Sequence, residues 1–149
     1  MRTFLLVAAI IITVVMLGHP LRVVGTEPGS SGQHLSREWV LRSLGAMPPR
    51  WKEIAFDETS NRRFRLTLVY RQMPSSLREV ENDTKRIARA VLKVLVEHGR
   101  SPREEMISIF VHAHIPEKGE TGANLVRVFG KTMYNYNNDQ FEFKPATGN

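Results

Sequence analysis

The chain has 149 residues, with 21 Lys and Arg against 15 Asp and Glu, a net charge of +6 and no cysteine. That length leaves about one domain, and the missing thiols exclude disulfides, thiolate zinc sites and thiol nucleophiles. Arg2 and Arg22 lie in the N-terminal segment, so removing them from the 21 leaves 19 basic against 15 acidic side chains over residues 26–149, or +4. This mild excess favours an acidic partner surface and falls short of the clustered basic face of a nucleic-acid binder, so nucleic acid is not the expected partner.

The first segment, residues 1–25, reads as a signal peptide or a signal-anchor helix. Behind Met1 and Arg2, the run Phe4–Leu17 is apolar apart from Thr13 and carries no charge. A cleaved signal needs a core of about 7–15 apolar residues, which this run supplies. A spanning helix needs about 17–25, which is reached by extending through Leu21. Both readings place residues 26–149 outside the cytoplasm, membrane-anchored or periplasmic or secreted, with residues 4–24 as the membrane contact if the segment is retained. Residues 26–34 are small, polar and turn-forming, and they read as a flexible spacer. Residues 35–149 form one small domain.

In that domain, Ser36 is a candidate N-cap for a short helix carrying Trp39, Val40, Leu41 and Leu44, which Gly45 and Pro48-Pro49 end. Residues 51–71 have the pattern of a hairpin. Phe64, Leu66, Leu68 and Tyr70 alternate with Arg63, Arg65, Thr67 and Arg71, while Val69 breaks the polarity of the outer face. Ser76 and Glu79 match a capping box and open the main helix. Leu77, Val80, Thr84, Ile87, Ala88, Val91, Leu92 and Leu95 form its apolar stripe. The helix is expected to stop near His98 with Gly99 as left-handed cap.

A second strong strand follows over Met106–Ile115, with Ile107, Ile109, Val111, Ala113 and Ile115 on one face and Phe110, His112 and His114 on the other. Pro116–Asn124 reads as a loop, Leu125–Tyr136 as a strand with Gly130 a bulge position, and Phe141–Phe143 as a short final strand. The order is helix, two strands, long helix, three strands. The expected fold class is α+β: a small, mainly antiparallel sheet covered on one face by the long helix. The link from Tyr70 through the helix to Met106 leaves room for one parallel pair.

Two clusters carry possible chemistry. His112 and His114 are two apart on a strand and point the same way, so they are candidate metal ligands, although the sequence offers no HExxH or other framework for a third. Arg63, Arg65, Lys85, Arg89 and Lys93 are candidates for an anionic-partner surface. Glu79, Glu81, Asp83 and Glu97 interleave with the helical set, which also fits a mixed, solvated face. Tyr134, Tyr136, Phe141 and Phe143 suit either a ligand-contacting surface or core aromatics.

No nucleophile elbow or glycine-rich phosphate loop occurs, no catalytic residues are assigned and no cofactor is implied. The expected function is a non-catalytic exported or tethered domain that binds a protein or envelope component. The alternative is a small metal-binding protein or enzyme centred on His112 and His114.

Overall fold

A computed structural model describes residues 35–119 and 122–147. The proposed signal or anchor segment and its spacer lie outside the described residues. Among the described residues the chain is α+β. Two helices, α1 (Arg37–Leu44) and α2 (Leu77–Glu97), combine with five strands, β1 (Trp51–Thr59), β2 (Arg63–Tyr70), β3 (Ser108–Lys118), β4 (Asn124–Asn135) and β5 (Gln140–Pro145). The strands lie in one sheet in sequence order. β2 and β3 are parallel because α2 carries the chain back between them, and the other three pairs are antiparallel. The sheet is therefore mixed.

Local chemistry starts and stops the long helix. Ser76 Oγ accepts the Glu79 N–H at 3.2 Å, one half of the expected capping box. The reciprocal half goes elsewhere: Glu79 Oε2 accepts the Ser75 N–H at 2.6 Å and the Ser75 hydroxyl at 2.9 Å. At the other end Gly99 takes φ 77°. There the Arg100 N–H reaches Leu95 O at 2.9 Å and the Gly99 N–H reaches Val96 O at 3.0 Å. This is the double closure of a Schellman turn, which satisfies carbonyls left free by the last turn.

The period-two strands and the helical stripe meet in one core. Phe64, Leu66, Leu68 and Tyr70 of β2, Ile109, Val111 and Ala113 of β3, and Val80, Ile87, Val91 and Leu95 of α2 are all buried. Fully burying a side chain of this size contributes roughly 1.5–3 kcal/mol, so this cluster is the main source of stability. α2 packs on β3, β4 and β5, and α1 packs beside α2.

The stripe departs from expectation at two positions. Leu77 is 52 % exposed, since it precedes the point where α2 meets the sheet, and Leu92 is half-buried at the flank. Tyr134 is buried, and Tyr136, Phe141 and Phe143 pack against the core as partly buried neighbours, which matches their reading as core aromatics.

Among the described residues both helices sit on one face of the sheet, and no helix covers the opposite, open face. A bulge fixes what that face presents. Ala113 pairs with Gly130 and His114 with Val128, so Phe129 is the extra residue on β4. Phe129 turns to the helix side and meets the Tyr70 ring edge-on at 5.7 Å between centroids, while Val128 stays on the open side with His114. Without the extra residue, period two would move every side chain on one side of the bulge to the wrong face. A Cβ at Gly130 would lie 2.6 Å from Lys144 O and 2.9 Å from Pro145 Cα, so only glycine lets β5 approach this closely.

Candidate functional site

The register builds the open face in rows. One row runs Ala55, Thr67, His112, Lys131 and Lys144 across all five strands. The neighbouring row runs Glu58, Arg65, Phe110, Met133 and Glu142. Residues paired in register share a face, so cations and imidazoles from β2, β3 and β4 converge on the middle of the sheet. Carboxylates stand on the edge strands, with Glu53 and Glu58 on β1 and Glu142 on β5.

The central strands enclose a shallow groove of about 610 Å³, with Thr67 and His112 among its lining and Arg63, Arg65, Phe110 and Lys131 around them. Among the described residues no carboxylate lines it. A second hollow of about 300 Å³ continues it toward β5, sharing His112, Val128 and Lys131 and adding Lys144.

Each polar group in the groove has a definable state. The Thr67 hydroxyl donates to Asp57 Oδ2 at 2.5 Å, which occupies its proton and draws the carboxylate against β2. Arg65 lies 3.7 Å from Glu58 with both side chains well exposed, a pair worth little in water. Among the described residues Arg63 and Lys131 make no ion pair. Burial, then the charges of Lys131 and Arg65, hold the His112 imidazole below its ordinary pKa of 6.5; Asp57 opposes the shift and His114 adds to it. A neutral His112 in a field of fixed positive charge marks a place where an anion is favoured.

His112 and His114 do share the open face, as their spacing requires. Among the described residues, however, no group of three or more His, Cys, Asp or Glu is arranged to hold a metal ion. Two imidazoles alone fall short of the three or four ligands of a zinc site.

The other candidate cations divide between the two sides of the fold. Arg63 and Arg65 are on the open sheet face, whereas Lys85, Arg89 and Lys93 are on α2, which covers the opposite face. Lys85 pairs with Glu81 at 2.6 Å and Lys93 with Glu97 at 3.7 Å, both i,i+4 pairs. The Arg89 guanidinium lies 5.6 Å from the centre of the Phe141 ring. The helical set is thus a locally compensated surface, and the five residues do not form one site.

A polar cluster that periodicity did not reveal lies under the helices. Asp83 is 4 % exposed on α2. Its carboxylate accepts from Trp51 Nε1 at 3.0 Å, Tyr70 Oη at 2.9 Å and Arg50 Nε at 3.0 Å, with a further bond from Arg50 Nη2. Glu79 adds a second carboxylate to Arg50 at 3.2 Å.

Burial and the Asp83 charge drive the Tyr70 phenol far up from its usual pKa, and the Asp83 hydrogen bond raises that of Arg50. With four hydrogen bonds from three residues, Asp83 joins the α1–β1 connection, β2 and α2. One sequence signal pointed to it: Asp83 stands three residues after Val80 and four before Ile87, on the apolar stripe itself.

No protein-family model, curated protein or solved structure matches this chain. Among the described residues no helix is long and apolar enough to cross a membrane.

Proposed function

We propose that this protein is an exported or membrane-tethered, non-catalytic binding domain that engages a protein or envelope component through the open face of its sheet. The observation that supports it best is the central groove, lined by Arg63, Arg65, Lys131 and two imidazoles, with no carboxylate in its lining among the described residues. Such a lining attracts negative charge. The placement outside the cytoplasm rests on the uncharged run Phe4–Leu17 behind Arg2 and on the spacer that follows.

Site-specific photocrosslinking in the native cell tests the binding face. A photoreactive residue at position 131, in the groove, should capture a discrete partner that the same residue at position 93 on α2 does not. Identical adducts from both positions would refute a dedicated sheet face. A reporter active only in the cytoplasm, fused after Asn149, should be silent; full activity would refute export.

A further inference from the structure

We infer that the groove on the open sheet face is a binding site for a phosphate ester, with the phosphate over β3 between Phe110 and His112 and an apolar organic part against Phe110 and Val128. This deepens the proposed function and rests on the open face being the binding surface. Adjacent strands lie about 4.8 Å apart, so β2 and β4 flank β3 closely enough for long side chains to reach over it from both sides. Arg65 is paired in register with Phe110 and Lys131 with His112. A guanidinium and an ammonium therefore straddle the same two residues of β3.

The donor set matches the anion. Arg65 presents a planar fork suited to two oxygens, Lys131 brings a mobile ammonium, and a ring N–H of His112 faces the same space. Three donor groups from three strands suit a tetrahedral phosphate with three free oxygens better than a carboxylate with two. Arg63, Thr67 and His114 also line the groove, and its apolar part is Phe110, which is half-buried, with Val128, which is 51 % exposed. A bare inorganic anion would leave that apolar surface in water, whereas an ester with an apolar group would cover it. The carboxylates Glu53, Glu58 and Glu142 on the edge strands confine a negative ligand to the centre.

The test uses the full chain, purified in a zwitterionic detergent and titrated separately with inorganic phosphate, phenyl phosphate and dihexanoyl phosphatidic acid. Backbone amide shifts at Thr67, His112 and Lys131 are followed with the dissociation constants. Both esters should bind more tightly than inorganic phosphate. The double variant R65Q/K131Q, changed only at exposed positions, should weaken all three by about tenfold or more. Phe110→Ala should lower ester affinity by about threefold and leave inorganic phosphate unchanged.

Tighter binding of the short-chain lipid than of phenyl phosphate would assign the ester to a lipid headgroup, and the reverse order to a soluble ester; either order supports the site. No response at the three amides, or equal affinities in wild type and R65Q/K131Q, would overturn it. That failure, accompanied by groove-specific crosslinks in the cell, would remove the phosphate ester and leave the binding face standing. Phosphate-ester binding without groove-specific crosslinks would remove the macromolecular partner instead.

Discussion

The carboxylate of Asp83, near the start of α2, accepts the indole N–H of Trp51 at 3.0 Å and so fastens the first residue of β1 to the long helix. Tyr70 and Arg50 donate to the same carboxylate. Three segments far apart in the chain thus depend on a single acidic side chain.

Removing that acceptor should be costly. Asp83→Ala would strand the buried Trp51 N–H and Tyr70 O–H, and each unsatisfied buried donor costs about 1–3 kcal/mol. A loss of roughly 2–4 kcal/mol is expected by chemical denaturation. Tyr70→Phe deletes one donor and leaves the other bonds, so it should cost about 1 kcal/mol. Equal, small effects from both variants would show that the network is not a structural joint.

Gly130→Ala should damage the β4–β5 edge selectively. The added Cβ would meet the backbone of Lys144 and Pro145 at 2.6 and 2.9 Å, so β5 has to move. A loss of about 2 kcal/mol or more is expected. Faster amide exchange should be confined to residues 140–145, with β1, β2 and β3 still protected. Unchanged exchange along β5 would contradict the close approach.

His112 makes stability depend on pH in one direction. Its folded-state pKa lies below the ordinary 6.5, so the unfolded chain takes up the proton more readily. Stability is therefore fully present above that range and declines as pH falls through it. His112→Gln should flatten this part of the profile between about pH 7.5 and 5.5, measured by urea midpoints. The carboxylates of Glu79 and Glu105, held below their usual 4.5, lose their contribution only at lower pH. An unchanged slope in the variant would show that His112 feels neither burial nor its cationic neighbours.

The buried hydroxyls of Thr84 and Thr132, 2.7 Å apart, predict an asymmetric pair of effects. Thr84 Oγ1 also lies 2.8 Å from Val80 O, so its proton goes to that carbonyl and it accepts from Thr132. Thr84→Val then leaves the fully buried Thr132 hydroxyl without a partner and should cost about 1–3 kcal/mol. Thr132→Val leaves Thr84 bonded to its own helix and should cost under about 1 kcal/mol. The reverse ranking would reverse the donor assignment.

Much of the architecture was already legible in the residues. Alternation in Phe64–Tyr70 and Ile107–Ala113, the three- and four-residue spacing from Val80 to Leu95, and Ser76, Gly99 and Gly130 as punctuation gave element types and order. These signals are local, because a strand's period and a helix's cap depend on residues a few positions apart. The same alternation placed His112 and His114 on one face. It could not say that β2 and β3 pair in parallel, nor that Arg65 and Lys131 straddle β3, because register between strands is set by packing and by the bulge at Phe129.

Tertiary structure alone separated Arg63 and Arg65 from Lys85, Arg89 and Lys93, since a linear count of charges does not record which side of a sheet a helix covers. It also showed that Asp83, whose place on the apolar stripe was the one sequence signal, is a buried hub. Its partners Arg50, Trp51 and Tyr70 are 33, 32 and 13 residues away. A buried carboxylate is tolerated only where donors converge on it, and that convergence exists only once the helix, the α1–β1 connection and β2 have packed together.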